Sequence, residues 1–200
     1  MSAFQVEPVT DVPVEAGLSE PIVTVGMLSP QAYAVAAMTS PAFSVYSDYE
    51  DWRDAREGRR MSLAFAGVDA ELTQVSLTAL IAWSSLTGIE PDEVALDSLA
   101  AFSRALRLAP NAVALATTTR RDFDACADRR DALCGARDFD AWLRRRSVRQ
   151  AELTAAGDGA FDIPLRFADV VAWCDCLGLP VCEASLDAYA ALMLELLAAE

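Results

Sequence analysis

Residues 48–59 read DYEDWRDAREGR, and residues 138–149 read DFDAWLRRRSVR. Both stretches open on Asp and carry Trp at the fifth position and Arg at the ninth and twelfth. The pairs Asp48/Asp138, Trp52/Trp142, Arg56/Arg146 and Arg59/Arg149 therefore share one offset of 90. Working outward, the same offset joins Leu63 to Leu153, Gly67 to Gly157, Trp83 to Trp173, Gly88 to Gly178 and Leu96-Asp97 to Leu186-Asp187. An ungapped comparison of residues 21–110 with 111–200 gives 21 identities in 90 positions. This alanine-rich composition would produce about eight by chance. The chain thus reads as two divergent copies of one unit, preceded by residues 1–20.

Each copy reads as helical. In the quoted stretch Asp48 and Asp138 stand where an N-cap belongs, and the helix they open runs to Gly67 and Gly157. Ser29-Pro30 and Thr119-Arg120 open an earlier helix. The apolar runs Leu72 to Thr87 and Leu165 to Leu177, closed by Gly88 and Gly178, predict a third helix buried on several sides, with Trp83 and Trp173 in the core. A fourth is expected from about Asp92 and Ser185, with acids in its first turn. The expected fold is all-α or mainly α: a tandem duplication of a four-helix unit, residues 21–110 and 111–200, packed with pseudo-twofold symmetry as one compact body. Short extended segments are expected at 22–25 and 112–115. Residues 1–20 hold four acids and no base, the composition of a flexible acidic arm.

The formal net charge of −14 and pI near 4.3 exclude the usual nucleic-acid binder, which needs clustered cations to displace counterions from phosphate. The N-terminal residues lack a signal-peptide pattern, and no apolar run is long enough to span a membrane. A cytoplasmic location and no membrane partner are expected. The sixteen cations are all arginine, which with the heavy use of alanine is what a GC-rich bacterial genome writes. The chain has no histidine, which removes imidazole bases and His-containing metal sites. Without lysine there is no Schiff base or P-loop lysine either.

The spacing i, i+4, i+7 places Trp52, Arg56 and Arg59 on one helical face, and Trp142, Arg146 and Arg149 on its counterpart. These six residues are the candidate site. They form either a surface that grips a partner or a structural face, with the indole in the core and the arginines paired to Asp97 and Asp187. The structural reading is the plainer one. Cys174-Asp-Cys176, Cys182, Cys126 and Cys134 lack the spacing of a metal knuckle and read as buried free thiols. The arginines of 120–149 are matched by Asp122, Asp124, Asp128, Asp131, Asp138 and Asp140, so they read as ion-paired helix surface. No catalytic residue, cofactor or metal ligand is assigned. The expected function is a non-enzymatic adaptor, assembly factor or inhibitor, a monomer or homodimer with a protein partner. The alternatives are a small-molecule enzyme or sensor with a pocket between the repeats, and an acidic DNA mimic.

Overall fold

A computed structural model describes residues 22–109, 111–126, 135–136 and 138–198. The acidic arm, Cys134 and the charged residues Asp128, Arg129, Arg130, Asp131 and Arg137 lie outside them. The fold is mostly helical with a few short strands. In chain order the first half contains β1 (Val23–Met27), α1 (Pro30–Thr39), α2 (Tyr49–Phe65), β2 (Ala70–Gln74), α3 (Leu77–Thr87) and α4 (Glu93–Leu108). The second contains β3 (Ala112–Thr117), α5 (Arg120–Ala125), α6 (Phe139–Ala156), β4 (Gly159–Pro164), α7 (Phe167–Leu177) and α8 (Glu183–Ala198).

The helix starts follow from side chains that satisfy otherwise orphaned amides. Ser29, Asp48, Ser76 and Asp92 accept from the backbone N–H three residues on, as do Thr119 and Asp138. At the other end of α3 and α7, Gly88 and Gly178 adopt φ of 71° and 66°, the left-handed conformation that a side chain would strain.

The strands form two separate parallel pairs. β1 runs beside β2 with Val23 opposite Ala70 and Met27 opposite Gln74; β3 runs beside β4 with Ala112 opposite Gly159 and Thr117 opposite Pro164. The mainly α expectation holds, and β1 and β3 are the extended segments expected at 22–25 and 112–115; the wholly helical form of that expectation is corrected by β2 and β4. The third helix of the first half starts at Leu77, because residues 70–74 are strand. Its pattern was misleading: Thr73 is buried while Leu72 is exposed, so local hydrophobicity does not mark the inward face. Hydrogen bonding to a strand almost fifty residues earlier holds the segment extended. The fourth helix of the second half begins at Glu183, close to the expected Ser185 and with that acid in its first turn as expected.

Buried side chains from both halves form one cluster. Phe102 bridges it, with its ring 5.0 Å from Trp83 and 5.4 Å from Phe161. The halves do not meet symmetrically, however. α3 lies along α8, and a twofold axis would set α7 against α4 in the same way; no comparable contact exists. The tryptophans record the difference. Trp83 is buried, whereas Trp173 is only half-buried, packed on Tyr189 at 5.4 Å. The expectation that both would lie in the core is corrected accordingly: α3 is covered by the other half and α7 is not.

Candidate functional site

In the first half, the inward face of α2 carries Trp52, fully buried, and Arg56, 1% exposed. Tyr33, Phe43 and Tyr49 surround the indole, with Tyr33 stacked on it at 4.9 Å. A buried guanidinium is tolerable only where its donors and charge are met. Arg56 Nε donates to the Gly26 carbonyl at 3.1 Å, Nη2 donates to Asp97, and Nη1 faces Glu93 at 3.4 Å. Asp97 also accepts from the Gly26 N–H at 2.9 Å and pairs with the half-exposed Arg59 at 3.1 Å. Glu93 accepts from Trp52 Nε1 at 3.1 Å and from the Tyr46 hydroxyl at 2.8 Å. Burial, reinforced by that bond to Glu93, raises the Tyr46 phenol above its usual range.

The network has a definite structural task. Gly26 lies in β1 with its N–H and C=O directed away from β2, and Asp97 and Arg56 satisfy one each. A carboxylate and a guanidinium thereby stand in for the missing neighbouring strand and close the sheet edge.

In the second half the same residue types are assembled less completely. Trp142 is fully buried and Arg146 is 8% exposed, with its Cζ 5.7 Å from the Trp142 ring centroid. Arg146 Nη1 donates to Asp187 at 2.7 Å, but its Nε and Nη2 have no partner, nor has Trp142 Nε1. Glu183, the counterpart of Glu93, faces Arg145 at 3.8 Å instead. Arg149 pairs with Glu152 at 3.3 Å rather than with Asp187. The Asp187 side chain is 51% exposed, against 15% for Asp97.

One methyl group accounts for much of this difference. A Cβ added to Gly26 would meet the Leu96 Cγ and carbonyl oxygen at 2.6 Å, so α4 can lie this close to β1 only because residue 26 is glycine. The equivalent residue is Ala116, whose methyl denies α8 that approach to β3. Neither Arg146 nor Asp187 bonds to the Ala116 backbone. A groove of about 360 Å³ lies between β3, α6 and α8, lined by Ala112, Ala114, Arg146, Arg149, Asp187 and Leu194 among others.

The six candidate residues thus fall into two separate clusters. Trp52, Arg56, Trp142 and Arg146 are interior, and Arg59 and Arg149 lie at the rims. Sequence reading missed Glu93, Tyr46 and Gly26. The retained pair Glu93/Glu183 was a usable signal for the first of these, whereas nothing local distinguishes Gly26 from any other glycine.

The remaining candidates are dispersed. Cys174 is buried, Cys176 is exposed, and Cys126 and Cys182 are intermediate; these four are free thiols, so the expectation of uniformly buried thiols holds fully only for Cys174. Burial raises the Cys126 thiol, while the hydroxyl of Ser185 lowers that of Cys182. Among the described residues no cluster of three or more acidic or thiol ligands could hold a metal ion. A second cavity, of about 500 Å³, lies at the junction of the halves between Gln74, Ser76, Ser103, Arg107 and Leu197; its described lining includes neither carboxylate nor thiol. No described helix is long and apolar enough to cross a membrane. Comparison of the chain with protein-family models, curated proteins and solved structures returned no match.

Proposed function

We propose that this is a non-enzymatic binding protein, an adaptor, assembly factor or inhibitor, that meets a partner protein through one end of its first half. The observation that carries this reading is an exposed apolar surface. Met38 is 86% exposed, Val45 75%, Val94 68% and Ile89 39%. They come from three separate segments that two hydrogen bonds tie together: Ser40 Oγ to the Pro91 carbonyl at 2.9 Å, and Tyr46 to Glu93 at 2.8 Å. Scattered apolar residues need no explanation, but a group pinned in one place marks an interaction surface. With a net charge of −14, the partner presents an apolar patch bordered by cations.

The tandem duplication belongs to this proposal. The elements of the two halves recur in the same order at an offset near 90, in support of one ancestral unit used twice. At the positions of Met38, Val45 and Val94 the second half has Asp128, Gly135 and Ala184, and only Ile89 keeps an exposed apolar counterpart, Leu179, so the patch as a group belongs to the first half. The DNA-mimic reading is disfavoured by the way arginines neutralise neighbouring acids along the helices, as Arg60 does Glu57 and Arg166 does Asp169.

The test is affinity capture from a bacterial lysate with the full chain and with a Met38→Asp/Val94→Asp double variant of unchanged circular dichroism. One stoichiometric protein is expected with the native chain and not with the variant. Equal recovery by both, or no stoichiometric protein, rejects the reading.

A further inference from the structure

We propose that the outer edge of β2 is a dimer interface, on which β2 of a second copy of this chain lies antiparallel across a twofold axis at Leu72. The inference concerns a different surface from the apolar patch around Met38 and does not depend on it.

Each half pairs only two strands, so every strand has an outer edge, and the edges are treated differently. That of β1 is closed at Gly26 by Asp97 and Arg56, and β3 lies beside α8. For β2 and β4 the parallel register settles which groups point outward. Val23 N–H donates to the Asp69 carbonyl and Val75 N–H to that of Met27, both at 2.8 Å, so residues 69, 71, 73 and 75 face β1. The N–H and C=O groups of Ala70, Leu72 and Gln74 point the other way, and they have no bonding partner among the described residues. In β4, Gly159 N–H donates to Asn111 and Leu165 N–H to Thr117, which leaves Ala160, Asp162 and Pro164 outward.

The two edges differ at two positions. At the offset of 90, Asp162 stands in place of Leu72 and Pro164 in place of Gln74. A charge in mid-edge and a proline without an N–H keep an exposed strand from pairing. β2 has neither, and its central side chain is an exposed leucine.

The outward groups of β2 favour a second copy as occupant, because they are symmetric about Leu72. In an antiparallel pair centred there, Leu72 faces its equivalent, Ala70 faces Gln74, and each couple exchanges both N–H···O=C bonds. Two strand pairs become one four-stranded sheet, and the contact is isologous and closes on itself. Charge points the same way. A cationic strand would be drawn to an acidic edge, but Ala70, Leu72 and Gln74 are uncharged, and Glu71 is held by Arg104 at 2.7 Å. Asp69, just before β2, falls opposite Val75 of the other copy rather than opposite its own equivalent. For a chain of net charge −14, such an edge lets two copies approach with little repulsion. The same register carries the turn at 67–69, with the exposed Phe65 before it, towards residues 75–77 of the other copy. A cavity of about 260 Å³ lined by Ala32, Val75 and Leu77, among others, lies there to take an apolar side chain.

Sedimentation equilibrium of the full chain tests this, together with hydrogen exchange followed by NMR. The native chain is expected to dimerise by hundreds of micromolar, and the Leu72 and Gln74 amides to gain protection as the dimer forms. Leu72→Asp and Gln74→Pro give β2 the residues that β4 already has. Neither removes a bond to β1, and each variant should be monomeric with unchanged circular dichroism. The Met38→Asp/Val94→Asp variant should dimerise as the native chain does, which separates this interface from the apolar patch. A native chain that stays monomeric, its edge then left to an extended segment of another protein, overturns the proposal. So does a dimer that survives both substitutions in β2, that is lost in the Met38→Asp/Val94→Asp variant, or that forms without protecting those two amides.

Discussion

Arg56 and Arg146 occupy equivalent positions on α2 and α6, and both are buried, but they are held by different numbers of partners. Arg56 bonds to Gly26 and Asp97 beside Glu93, while Arg146 has Asp187 alone. Removing one member of a buried, multiply paired charge network strands the others, at a cost of about 3–5 kcal/mol. Removing a buried arginine that already has unmet donors gives back part of its own desolvation penalty. Arg56→Met should therefore destabilise the protein by roughly 3 kcal/mol or more, and Arg146→Met by about 1 kcal/mol or less. Urea unfolding of the two variants measures the difference; equal losses would mean that the two networks are equivalent in solution. The identity of these arginines and their aspartates was legible in their shared sequence offset. Their inequality was not, because it depends on whether a helix can touch a strand at residue 26 or 116.

At the scale of elements, the helix starts were written locally and the strands were not. Ser29, Asp48, Thr119 and Asp138 cap their helices as their positions predict, since a cap needs only the next few residues, and Asp92 caps α4 where a first-turn acid was expected. Ser76 caps α3 through a bond to the Ala79 amide at 3.1 Å, but the apolar run extending back to Leu72 concealed it. The equivalent Arg166 makes no side-chain cap. Ser76→Ala should therefore cost about 1 kcal/mol in stability, while Arg166→Ala costs only the exposed pair with Asp169, about half that or less. Thermal unfolding of both variants tests the assignment of the α3 start. If Ser76→Ala proves the milder change, the helix begins elsewhere. β2 could not be read from its own sequence, because its exposed Leu72 and buried Thr73 reverse the usual pattern and its bonding partner is remote.

At the scale of the molecule, the joint between the halves sets the folding behaviour. Phe102 of α4 packs between Trp83 and Phe161, and α3 is covered by α8, so part of the first half's apolar surface is buried only by the second. The full chain should unfold in a single transition with equal calorimetric and van't Hoff enthalpies, and residues 22–109 expressed alone should not give a cooperative transition. Two separable calorimetric peaks would show that the halves are independent. The sequence by itself determined the succession of four helices in each half, several of their caps and the paired Trp/Arg faces. All of these depend on composition, on local hydrogen bonding or on a periodicity within one segment. Only the tertiary structure decided that each half holds a parallel strand pair, that the halves meet asymmetrically, and that Arg56 faces two carboxylates and a carbonyl while Arg146 meets a single carboxylate. Those outcomes depend on which distant backbone comes within hydrogen-bonding distance.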